Sequence, residues 1–175
     1  MAILGVDDFK SKLKGGGARP NLFNVKLAFP NYVIGDTELA SFMVKGAQLP
    51  SSVVTPIEVP FRGRKLKIAG DREFETWTVT VINDTGFEIR NAMESWMNGM
   101  NAHQQNTGVN NPEEYQADLT VQQLDKDGSV LKEYVFRGCF PTNISAIDLN
   151  YDTENTIEEF TVEFQVQYWE SGTTS

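Results

Sequence analysis

Period-two alternation of apolar and polar positions dominates the chain. Phe23, Val25, Leu27 and Phe29 alternate with Asn24, Lys26 and Ala28, which predicts a half-buried strand. Pro30-Asn31 and Gly35-Asp36 then mark a turn region, and residues 39–47 read as a second strand that stops before Pro50-Ser51-Ser52. Residues 53–59 are β-branched but carry Pro56 and end at Pro60, so an edge strand or extended loop is expected. In residues 61–68, Leu66 and Ile68 share one face and Lys65 and Lys67 the other; residues 73–82 are strongly β in composition. Further strands are expected over 116–124, 130–138, 142–150 and 157–169, with Asp127-Gly128 as a hairpin turn between the first two. In the last of these, Phe160, Val162, Phe164, Val166 and Tyr168 point one way. Glu159, Thr161, Glu163, Gln165 and Gln167 point the other.

The period changes once. Ile89, Met93, Trp96 and Met100 form a single apolar stripe at helical spacing, and Thr85 with Glu88 has the spacing of a capping box, so a helix is expected over about 86–98. Such a helix must lie on a sheet or in an interface. Residues 101–114 read as a polar loop. Residues 1–21 read as an arm: Ile3, Leu4, Val6 and Phe9 make a short sticky segment of one or two helical turns, and Gly15-Gly16-Gly17 makes a hinge. Residues 22–175 then form a single β-domain.

Composition narrows the function classes. A chain of 175 residues with 40% hydrophobic content can bury a real core. The formal charge of −9 disfavours nucleic-acid binding by the surface as a whole. A single cysteine, Cys139, forbids an intramolecular disulfide and fits a reducing compartment. No stretch approaches the length of a membrane helix, and Asp7 and Asp8 follow a short apolar start, so neither a membrane span nor a secretory signal is expected.

Catalytic and metal-binding chemistry find little support. A Ser-His-Asp or Cys-His arrangement would depend on His103, which sits in a Gln- and Asn-rich stretch. One cysteine and one histidine do not supply a closed zinc site. Asp148, Asn150, Asp152 and Glu159 have calcium-loop spacing, but Thr153 stands where the loop needs glycine, and the flanks read as strands. Nothing positions a carboxylate pair for glycoside hydrolysis. No cofactor is expected. The run Arg62, Arg64, Lys65, Lys67 and Arg72 stands out as basic in an acidic chain. It reads as a solvated hairpin or as a surface for an acidic partner, and other copies of this chain offer such a surface.

Three segments carry a family resemblance. The first is Ala18-Arg19-Pro20-Asn21-Leu22-Phe23. The second is Ala47-Gln48-Leu49-Pro50 followed by Arg64-Lys65-Leu66-Lys67-Ile68-Ala69-Gly70-Asp71-Arg72, by Trp77-Thr78-Val79-Thr80-Val81 and by the helix ending in Trp96. The third is Pro141-Thr142-Asn143 with the closing Tyr168-Trp169-Glu170. Together they resemble the tail tube proteins of contractile-tailed bacteriophages. Residues 1–17 and 30–37 look longer than a compact version of that fold needs.

The resemblance implies a mainly β fold with one helix, a β-barrel or sandwich shared in a hexameric ring. The rings stack into a hollow conduit for DNA delivery. It also implies a non-enzymatic structural protein of the virion tail, assembled in the host cytoplasm. Its implied contacts are itself, the sheath, a baseplate tube initiator, a tail terminator and a tape measure protein. DNA passes without sequence-specific binding, and there is no stable membrane insertion. The tube protein of type VI secretion is similar in fold. A tube for protein effectors in an injection device is therefore one alternative, and a monomeric ligand-binding barrel is another. On the tube reading, Arg62, Arg64, Lys65, Lys67, Asp71 and Arg72 are expected at the inter-ring contact. The polar face Glu159, Thr161, Glu163, Gln165 and Gln167 is expected on the lumen or an interface.

Overall fold

The computed structural model describes residues 5–174; Ile3 and Leu4 of the expected sticky segment lie outside them. Among the described residues nine strands form: β1 (Phe23–Lys26), β2 (Val44–Gly46), β3 (Val53–Phe61), β4 (Arg64–Glu73), β5 (Trp77–Ile82), β6 (Ala117–Leu124), β7 (Val130–Ile144), β8 (Glu159–Gln165) and β9 (Tyr168–Ser171). Seven of them build one antiparallel sheet in the order β1-β6-β7-β8-β5-β2, with β9 also paired to β7. Strand β7 is 15 residues long. Its first part pairs with β6 and its last part with β8, while Tyr134–Arg137 also pairs with β9. One strand thus belongs to both halves, and the sheet curls into a nearly closed barrel.

Alternation fills the interior. Val79, Val81, Val121, Phe136, Phe160, Val162 and Phe164 are buried from four different strands. Trp77 stacks on Phe136 at 4.3 Å between ring centroids and leans on Phe164 at 6.0 Å. Helix α3 (Glu88–Met100) closes the barrel with the expected stripe, burying Ile89, Ala92, Met93 and Trp96. A buried side chain of the size of Ile89 or Met93 contributes about 1.5–3 kcal/mol. Among the described residues, no helix is long and apolar enough to cross a membrane.

Several local expectations are corrected. The strand expected over 39–47 is α2 (Thr37–Met43) followed by the short β2. Asp36 decides this, because its carboxylate accepts from the N–H groups of Glu38 at 2.9 Å and Leu39 at 3.1 Å and so starts a helix that buries Ala40. Two further short helices join the expected one, α1 (Val6–Lys12) in the arm and α4 (Pro112–Tyr115) in the 101–114 loop. The strands expected at 130–138 and 142–150 are a single strand that ends at Ile144, and residues 145–158 form a long loop instead. The strand expected over 157–169 breaks after Gln165. There the chain changes partners, from β5 and the end of β7 to the middle of β7. Tyr168 is consequently exposed and not in the core.

The capping box also fails to form. Phe87 takes a left-handed conformation, and the Asp84 carboxylate accepts from the Glu88 N–H at 3.2 Å. Asp84→Ala is therefore expected to lower unfolding stability by about 1 kcal/mol in urea titrations, and Thr85→Ala by much less. Equal effects would restore the capping-box account.

Cys139 is fully buried. Burial, with the nearby Asp118 carboxylate adding to it, pushes its thiol up to about 12. Because an unfolded thiol ionises near pH 8.5, this group's contribution is intact below about pH 8.5 and is lost as pH rises towards the folded value. A thiol reagent at pH 8 should label Cys139 only in unfolding concentrations of denaturant.

Candidate assembly interface

Strands β3 and β4 form a two-stranded sheet of their own. The loop between them is Arg62-Gly63, both with positive φ, at 46° and 80°. That is the backbone of a tight hairpin turn, and glycine removes half of its steric cost. Gly70 sits at the register shift near the root; a Cβ there would lie 2.3 Å from the Thr55 carbonyl oxygen. At about 3.3 Å per residue the hairpin spans roughly 30 Å. None of its residues joins the hydrophobic core or packs against it as a partly buried apolar residue.

Cross-strand pairing sorts the hairpin into two faces. Ile57 faces Ile68, Val59 faces Leu66 and Phe61 faces Arg64, giving one apolar face closed by a cation; all of these apolar side chains are exposed. On the other face Glu58 opposes Lys67 and Pro60 opposes Lys65. Lys65 Nζ bonds the Glu58 carboxylate at 2.7 Å, and the Arg62 guanidinium lies 5.3 Å from the Phe61 ring centre. Among the described residues, Arg62, Arg64 and Lys67 have no carboxylate within ion-pair distance. Both prolines of β3 sit where lost N–H groups matter least, because each hairpin strand has only one partner.

The fold thus brings Arg62, Arg64, Lys65 and Lys67 together at the far half of one arm. Asp71 and Arg72 lie near its root, where Arg72 donates to Ser52 Oγ at 3.0 Å. The root is held by two indoles, Trp77 and Trp169, which the sequence marks through the family resemblance but not as anchors of the hairpin. Trp77 Nε1 donates to the Gln48 carbonyl at 2.7 Å, and Trp169 Nε1 donates to the Ser51 carbonyl at 3.2 Å while its ring meets Phe74 edge-on. Their carbonyl partners lie 29 and 118 positions away, so no local sequence signal marks this role.

The expected polar face is present over most of its length. Glu159, Thr161, Glu163 and Gln165 of β8 all point away from the core, opposite Ile82, Thr80, Thr78 and the approach to β5. Gln165 Nε2 donates to Thr76 Oγ1 at 3.1 Å, and Glu159 pairs with Lys45. Gln167 is not part of this strand face. It lies in the break, where its N–H donates to the Arg137 carbonyl at 3.1 Å.

The opposite end of the barrel carries the 145–158 loop. Strand β5 starts at Trp77 beside the hairpin root and ends at Ile82 opposite Glu159. The hairpin and the loop are therefore separated by the length of β5, about 17 Å at 3.3 Å per residue. The loop is tied down at its base: Arg90 donates to the Ser145 carbonyl at 3.1 Å, and Asn83 Nδ2 donates to Glu158 at 2.9 Å. Leu149, Tyr151 and Ile157 are nevertheless exposed on it.

Residues 18–171 match the family described as phage tail tube protein. The tail tube protein gp19 of Enterobacteria phage T4 is 35% identical over 167 residues, covering 94% of this chain and 99% of that protein. The chain belongs to the phage tail tube protein family. A tail tube protein of Serratia phage KSP90 is 27% identical over 164 residues, covering 91% of this chain and 93% of that one. A similar fold occurs in the sheath–tube complex of an extracellular contractile injection system in its extended state. There the TM-score is 0.65 at 15% identity, over 93% of this chain and 95% of that one. As a tail tube protein, the chain is a structural component of the virion tail.

Proposed function

We propose that this tail tube protein forms hexameric rings that stack into the inner conduit of a contractile tail. In this reading the β3–β4 hairpin makes the contact between rings, through Arg62, Arg64, Lys65, Lys67, Asp71 and Arg72 and its exposed apolar face. The observation that carries the proposal is that hairpin, an arm about 30 Å long with one apolar face and unpaired cations and no place in its own subunit's core. A surface of that kind is stable in water at a cost that burial against a partner removes.

The polar face of β8 lines the conduit. Glu159, Thr161, Glu163 and Gln165 offer phosphates no unpaired cation to hold, so DNA passes without being retained. The subunit acts as a wall and carries out no catalysis. The sheath, a baseplate initiator, a terminator and a tape measure protein are its expected neighbours; the baseplate, cap and sheath–tube assemblies of the similar injection systems support the first three. Similarity to a phage tube protein over nearly its whole length supports DNA over protein effectors as the passenger. In this reading residues 1–21 act as an arm separate from the 22–175 domain; the exposure of α1 along its whole length supports it.

Purified protein added to tail-baseplate complexes should grow hollow tubes visible by negative-stain electron microscopy, with sixfold rings in end views. Protein that stays monomeric on intact baseplates would sink this reading.

A further inference from the structure

We propose that the acidic loop 145–158 is the receptor for the hairpin of the next subunit along the tube. The inference rests on the stacked-ring reading and adds to it the surface that the hairpin meets.

The hairpin root and the loop lie at opposite ends of β5, as the register of β5 on β8 requires. An arm at one end and its receptor at the other make a head-to-tail contact, which repeats indefinitely without closing on itself. Their charges are complementary. The loop carries Asp148, Asp152, Glu154 and Glu158, adjoins Glu159, and holds no lysine or arginine. The cations packed at its base are already engaged, Lys45 with Glu159 and Arg90 with Glu94 and the Ser145 carbonyl. Asp148, Asp152 and Glu154 have no cationic partner among the described residues, as Arg62, Arg64 and Lys67 have no anionic one.

The apolar surfaces match as well. Leu149 is 82% exposed and Ile157 69% exposed, with Tyr151 fully exposed between them. They sit in a shallow depression that Ile147 and Thr156 also line. The exposed face of Ile57, Val59, Leu66 and Ile68 is the corresponding surface on the hairpin. Side chains that are apolar and solvated on both elements, each ringed by opposite charge, fit each other better than either fits water or a second copy of itself. The occupant is thus a second copy of this chain.

A charge exchange tests this. One variant carries Arg62→Glu and Arg64→Glu; the other carries Asp148→Lys and Glu154→Lys. Among the described residues the side chains of Arg64, Asp148 and Glu154 make no hydrogen bond, and Arg62 contacts only the Phe61 ring, so both variants should fold, as circular dichroism would verify. On baseplates at low salt, each variant alone should give at least about tenfold fewer tubes than the wild type, because like charges now meet at every ring contact. Mixed one to one, each variant's hairpin faces the other's loop, and growth should return to within about twofold of wild type. A loop variant that grows normally alone, or a mixture of folded variants that stays inert, overturns the loop as receptor and leaves the tube reading standing. Wild-type protein that fails to grow on the same baseplates overturns the tube reading and this proposal with it.

Discussion

Excising residues 54–72 and joining Val53 to Glu73 through a two-residue turn is expected to abolish tube growth while leaving the barrel folded. Val53 and Glu73 are cross-strand partners, so their Cα atoms lie only about 5 Å apart and a short turn can bridge them. The deleted segment contributes nothing to the core, so the midpoint of thermal unfolding should move by no more than a few degrees. Assembly should fall below detection in electron micrographs, because the arm and its charges go together. Tubes of normal length from the excised protein would show that rings stack through some other surface. A large loss of thermal stability would show that the hairpin supports its own subunit after all.

The largest expected loss of stability lies at Trp96. This side chain is fully buried; its ring meets Phe29 edge-on at 5.9 Å and Phe164 at 6.0 Å, and its Nε1 donates to the Tyr115 carbonyl at 2.7 Å. Its own carbonyl accepts from the Tyr32 hydroxyl at 2.9 Å. One residue therefore joins α3, the barrel wall, the 30–37 segment and α4. Trp96→Ala should cost about 3–5 kcal/mol in denaturant titrations, from the cavity and lost burial together. Against a net stability of about 5–15 kcal/mol, that brings the domain close to unfolding. Trp96→Phe keeps most of the ring contacts and gives up the indole hydrogen bond, so about 1–2 kcal/mol is expected. Equal losses for the two variants would mean that the hydrogen bond to Tyr115 dominates over packing.

The barrel was legible in the sequence because its strands are wet on one side and dry on the other. Val79 and Val81, or Phe160, Val162 and Phe164, announce their burial by alternation alone. The errors fall where alternation persists but its cause changes. Val166, Gln167 and Tyr168 continue the pattern across a break at which the chain exchanges one strand partner for another. Ile147, Leu149 and Tyr151 alternate as a strand would, yet no neighbouring strand offers them a ladder. Residues 39–47 carry the composition of a strand, and the Asp36 side chain tips most of them into α2 by capping its first turn.

The hairpin shows the same ambiguity in its functional form. Ile57, Val59, Leu66 and Ile68 look half-buried in the sequence, and in a single subunit they are exposed. Alternation records where a side chain expects apolar surroundings and does not say whether its own chain will provide them. The basic residues were visible at once as a cluster. The two indoles that set the root of the arm were not, because a side chain that bonds a carbonyl 29 or 118 positions away leaves no local pattern.

The placement of arm and receptor at opposite ends of β5 gives the polymer a direction. Every ring presents arms upward and loops downward, or the reverse, so the first and last rings expose chemically different surfaces. The protein that begins a tube and the one that stops it therefore need different complements, one basic and apolar, the other acidic. Nothing in such a repeat counts its own copies, since the surface offered after the hundredth addition is the one offered after the first. Length has to be measured by something that runs alongside the stack.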